Sequence, residues 1–98
     1  MKEISKKSIT KALSKAMHPE INYSLIKLGM IDNIKVDKKI SLDLKLPFLE
    51  VPIKEDLVNI IKKNLRELGN FKIEIKIKKM SEKEKEKFMR LARKGWIF

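Results

Sequence analysis

The sequence predicts an α+β fold: a two-layer α/β sandwich in the order α-β-β-α-β-α, with a three-stranded sheet and its helices on one face. Three observations predict it. Residues 39–46 and 71–78 alternate apolar and polar side chains, the period of a half-buried strand. Residues 52–68 carry apolar side chains at helical spacing instead. Ser81 and Glu84 make the Ser-x-x-Glu signature that opens a helix after the last strand.

The elements follow in order. Residues 5–17 read as a helix capped by Ser5, with Ile4 and Ile9 forming a hydrophobic staple. Ile9, Ala12, Leu13, Ala16 and Met17 share its apolar face. Pro19 disfavours helical geometry at His18, so the helix should stop there. A turn-like stretch, 23–29, closes at Gly29. Residues 30–37 read as a strand with Ile34 and Val36 inward, and Asp37-Lys38-Lys39 as the turn of a hairpin. The next strand places Ile40, Leu42, Leu44 and Leu46 on the covered face, and Ser41, Asp43 and Lys45 on the wet one. The helix over 52–68 has the stripe Ile53, Leu57, Ile60, Ile61, Leu65 and Leu68, and Gly69 stops it. The third strand should face Phe71, Ile73, Ile75 and Ile77 inward, pairing beside either the second strand or the first. The last helix should run to about Lys94, helped by Glu82–Lys85, Glu84–Lys87 and Glu86–Arg90 pairs. Trp96-Ile97-Phe98 then reads as a strap over the core, with a contact to a second subunit as the alternative.

Residues 1–98 make a single domain, with 43% hydrophobic residues enough for one core. No apolar run approaches the roughly 18–20 residues needed to span a bilayer. The basic N-terminal stretch has no apolar segment behind it, so no signal peptide is read and the expected compartment is the cytoplasm. The chain has no cysteine, which excludes disulfides, a thiolate nucleophile and thiolate ligation of a metal or cluster within these residues. One histidine is too few for a familiar zinc set, so no metal and no cofactor are expected. The formal charge is +11. It is spread along the chain, which favours a solvated lysine surface over a dedicated anion site. A Lys-, Glu- and Ile-rich composition without Cys or Gln also suits a thermophile or an AT-rich genome.

No GxSxG, P-loop or GxGxxG motif occurs, and no local pattern marks a serine as activated. The chain is therefore read as a non-enzyme, with His18 the most obvious base if it were one. Two segments stand out instead. Pro47, Phe48, Leu49, Glu50, Val51 and Pro52 form an apolar loop bracketed by prolines beside a helix start. Such a stiff loop suits partner docking at low entropic cost, or it folds inward over the sheet edge. His18, Pro19 and Glu20 form the second segment. His18 and Glu20 read as a polar pair flanking the docking loop or as a weak metal site; the favoured reading is that Glu20 and the His18 backbone tie the helix-to-strand turn together.

The three segments His18-Pro19-Glu20-Ile21, Leu28-Gly29-Met30-Ile31 and Leu46-Pro47-Phe48-Leu49-Glu50-Val51-Pro52 stand in an order and spacing that resembles the iron–sulfur cluster assembly domain family, of PaaD-like or SufT-like type. In that family the first helix runs into Asp-Pro-Glu-(Ile/Val). A segment ending Leu-Gly-(Leu/Met)-(Val/Ile) follows, and after a hairpin a loop like Pro-Gly-Cys-Pro opens the next helix. The resemblance covers about residues 5–80. His18 replaces the aspartate, and Val51 replaces the cysteine before the last proline. The resemblance implies the fold above and an accessory or scaffold role exercised through protein contacts. The implied partners are cluster-assembly scaffolds or their targets. With Val51 in place of cysteine, direct thiolate handling of a cluster is lost, and the docking loop is what remains. The alternative is a small basic nucleic-acid module with KH-like element order. No GxxG loop and no strand aromatic on the wet face occur, so lysine charge would support only non-specific, salt-sensitive nucleic-acid binding.

Overall fold

A computed structural model describes residues 5–48 and 53–96. The expected staple residue Ile4, the loop residues Leu49, Glu50, Val51 and Pro52, and the tail residues Ile97 and Phe98 lie outside the described residues. The element order is α1 (Lys6–Leu13), β1 (Ile31–Val36), β2 (Ile40–Leu46), α2 (Lys54–Arg66), β3 (Ile73–Lys79) and α3 (Glu82–Gly95). This is the expected α-β-β-α-β-α fold. β2 is central: it pairs antiparallel with β1 and parallel with β3, which settles the strand order. Among the described residues, no helix is long and apolar enough to cross a membrane.

Ser5 caps α1 by accepting a hydrogen bond from the Ser8 backbone N–H. The helix is shorter than the sequence suggests. The Ser14 hydroxyl donates to the Lys11 carbonyl, a side-chain competitor for the backbone that ends the helix early. Ala16 still reaches the core, but Met17 pairs in extended form with Ser24 and its side chain is exposed. The core is built on Ile40, Leu42, Leu44 and Leu46 of β2, all fully buried beneath α1 (Ile9, Leu13) and α2 (Leu57, Ile61, Leu65).

The opposite face of the sheet is not uniformly wet. Asp43 is only 4% exposed. Its carboxylate accepts from the Asn33 side-chain amide at 2.7 Å and pairs with Lys78 at 3.0 Å. Asn33 sits at φ +50 in a β1 irregularity between Asp32 and Lys35. That left-handed conformation, which asparagine tolerates, lies where the strand register shifts. A carboxylate on a central strand is flanked from both sides, and here both flanks satisfy it.

α2 spans Lys54–Arg66, shorter than 52–68, so Leu68 falls beyond the helix and is exposed. Glu55 and Asp56 in its first turn complement the helix dipole where no side-chain cap exists. β3 starts two residues later than expected. Phe71 is outside it and folds its ring against Gly69. Ile77, on this edge strand, is partly exposed and not covered as expected. α3 carries the expected capping box, Ser81 with Glu84. None of the expected Glu–Lys or Glu–Arg pairs within α3 forms among the described residues. Glu84 instead reaches the sheet, meeting Lys45 at 2.6 Å.

Candidate functional site

The chain between α1 and β1 turns sharply at His18–Tyr23. The His18 backbone N–H donates to the Tyr23 carbonyl at 3.1 Å. The His18 imidazole Nδ1 accepts from the Glu20 backbone N–H at 3.0 Å. The ring is 6% exposed, and burial pushes its pKa below the ordinary value, with the Glu20 carboxylate partly opposing that. An Nδ1 that accepts from a backbone N–H places the proton of the neutral ring on Nε2. His18 thus ties the turn through both its backbone N–H and its ring Nδ1. It also presents one N–H donor, with no partner among the described residues.

α3 clamps this turn from the other side. The Asn22 N–H donates to the Gly95 carbonyl at 2.6 Å, and Ile21 pairs with Trp96 as an isolated antiparallel bridge. Gly95 is required by close approach: a Cβ there would stand 2.7 Å from two carbons of the Tyr23 ring.

The end of β2 supplies the third part. Pro47 is buried, and Phe48 is 50% exposed. The Lys85 ammonium of α3 stands 4.1 Å from the centre of the Phe48 ring, within cation–π range. Between these parts lies a cleft of about 770 Å³. Ile21, Ile53, Phe88 and Ala92 give it apolar walls; His18, Glu20, Pro47, Phe48, Met89, Arg93 and Trp96 complete the lining. Trp96 is 51% exposed and borders the cleft; the other two tail residues, Ile97 and Phe98, lie outside the described residues.

Of the residues singled out from sequence, His18, Glu20, Pro47 and Phe48 come together on this cleft, although the two segments are far apart in the chain. Pro19 is exposed beside it and does not line it. Leu49, Glu50, Val51 and Pro52 lie outside the described residues. The α3 wall (Phe88, Met89, Ala92 and Arg93) was not singled out from sequence. Its signal in the sequence is one apolar face on a highly charged helix, which reads as ordinary core packing. Among the described residues, no three His, Cys, Asp or Glu side chains converge as a metal site would require, so His18 and Glu20 gain no third ligand.

The chemistry on offer is recognition. Among the described residues, the cleft joins a mostly apolar surface to the His18 imidazole, the Glu20 carboxylate and the Arg93 guanidinium.

The sequence profile of the family described as iron–sulfur cluster assembly protein matches residues 6–77. Among solved structures, the chain is similar to the crystal structure of a domain of unknown function, DUF59, from Bacillus anthracis. The TM-score is 0.71 at 20% identity, covering 90% of this chain and 87% of that one. At that identity the likeness concerns the fold. No curated protein sequence matches the chain.

Proposed function

Because the chain belongs to the iron–sulfur cluster assembly protein family, we propose that it is a non-enzymatic accessory of cluster assembly that grips other proteins through this cleft. The observation that carries the reading is the cleft itself. An apolar volume of about 770 Å³ is flanked by two half-exposed aromatic rings, Phe48 and Trp96. A few large anchor side chains supply most of the binding energy at protein interfaces. The cluster is cargo here, and with no cysteine among these 98 residues its thiolate ligands belong to the partner.

Affinity capture with the full chain tests the proposal. The expected result is enrichment of a cluster-assembly scaffold or an iron–sulfur target protein over a tag-only control. Phe48→Ala should lower that recovery about tenfold or more, as truncation of a buried anchor does. Recovery of no such protein, or recovery indifferent to both Phe48→Ala and Trp96→Ala, would overturn it.

A further inference from the structure

Resting on the docking reading above, we infer that the cleft takes an acidic peptide segment, with an apolar side chain in the cleft and carboxylates along the second half of α3. The cleft volume lies in the range of sites that accept an apolar side chain or a small ligand. The charge beside it gives the rest. The chain is overwhelmingly lysine among its cations, with only three arginines: Arg66, Arg90 and Arg93. Two of the three stand one turn apart on α3. Arg93 lines the cleft, and both line the depression that adjoins it across Met89, where Lys85 adds a third cation and Glu82 and Glu86 add two carboxylates at the N-terminal end.

Neither arginine makes an ion pair among the described residues, and the same is true of most of the lysines, Lys39, Lys45 and Lys78 being the paired ones. From Phe88 onward α3 has Arg90, Arg93 and Lys94 and no acidic residue. The helix dipole explains cations there but not arginine, since lysine complements a C-terminus equally well. Arginine adds a planar fork that holds a carboxylate with two parallel hydrogen bonds.

Trp96 is the chain's single tryptophan and borders the cleft, so its emission reports occupancy. Titration of the full chain would use three short synthetic peptides: a Leu-Phe core flanked by glutamates, the same core flanked by lysines, and a Gly-Ser core flanked by glutamates. Only the first should shift Trp96 emission to the blue and saturate. Its affinity should fall about tenfold in the Arg90→Gln/Arg93→Gln double variant and fall with added salt. Arg66→Gln, at the end of α2, should leave it unchanged, with thermal melts confirming that both variants fold.

Equal binding of the lysine-flanked peptide, or wild-type affinity in the double variant, overturns the inference. So does a concentration-dependent emission shift without peptide that Phe48→Ala abolishes, because the occupant is then a second copy of the chain. If the peptides fail while Phe48→Ala still reduces capture of cluster-assembly proteins, the partner class falls and the docking reading stands.

Discussion

His18 is the chain's only histidine, and its ring is neutral because burial penalises the charged form. Its folded pKa lies below its ordinary 6.5, so the unfolded chain binds the extra proton first as pH falls. Stability is unaffected above pH 6.5, declines as pH falls from there, and has lost the whole contribution below the folded pKa. Protonation at Nδ1 would also remove the acceptor of the Glu20 N–H. Denaturant unfolding at a series of pH values from about 7.5 to 5 should show this decline. His18→Asn keeps a side-chain acceptor for the turn but cannot titrate, so its profile should be flat over that window. An unchanged slope in the variant would show that another group titrates there. Gly29 is a second residue whose backbone decides the outcome. It sits at φ +75 with no atom crowding its Cβ position. Gly29→Ala should cost about 1 kcal/mol from conformation alone, read as a shift of the denaturation midpoint.

At the scale of the element, α3 is fixed at both ends by different physics. At its N-terminus Glu84 serves twice. One carboxylate oxygen accepts from the Ser81 N–H, and the other meets Lys45, which also meets Asp32. The Lys45 hydrogen bond is the chief reason that the Glu84 pKa is pushed down to about 2, followed by the bond from the Ser81 backbone. Its contribution is therefore complete above pH 4.5 and lost as pH falls through about 2. Glu84→Gln keeps one acceptor oxygen for the Ser81 N–H and removes the charge together with the hydrogen bond from Lys45. It should cost under about 1 kcal/mol, because the pair is partly exposed. Glu84→Ala also dismantles the capping box and should cost about 1 kcal/mol more. Equal midpoints for the two variants would show that the box carries no stability. At the C-terminus, Gly95 lies against Tyr23. Gly95→Ala should cost about 1–3 kcal/mol by displacing that ring, and should change Trp96 emission because the two residues adjoin. The capping box was legible in four residues of sequence. The partner of Glu84 was not, since Lys45 is remote in the chain and Lys87 at i,i+3 is the nearer candidate.

For the whole molecule, the layers were legible because period-2 and period-3.6 patterns report which face of an element is buried. Ile40, Leu42, Leu44 and Leu46 alternate without interruption, and all four are core. Pairing between elements is a longer-range property. That Asp43 is covered depends on Asn33 and Lys78 on flanking strands, which no local pattern encodes. The same holds for the cleft: its His18 and Phe48 sides were marked by local turn and proline chemistry, whereas its α3 wall became visible only once the helix was placed. That placement has an energetic consequence. α1 and α2 each bury large side chains completely against β2, but α3 inserts Phe88 and Ala92, neither as fully buried, and lays Leu91 partly buried against the core. Local opening free energy follows buried apolar contact, so α3 should open without the rest of the fold. Native-state hydrogen exchange should then show α3 amides exchanging at a lower free energy, with little denaturant dependence. β2 and α2 amides should exchange only through global unfolding. Leu44→Ala, which should remove about 2–5 kcal/mol from a core of such size, should lower the β2 and α2 values together and leave α3 local opening nearly unchanged. If α3 amides instead fell in step with β2, the cleft wall would belong to the same cooperative unit as the sheet. A partner would then meet a rigid groove, not a wall able to adjust to it.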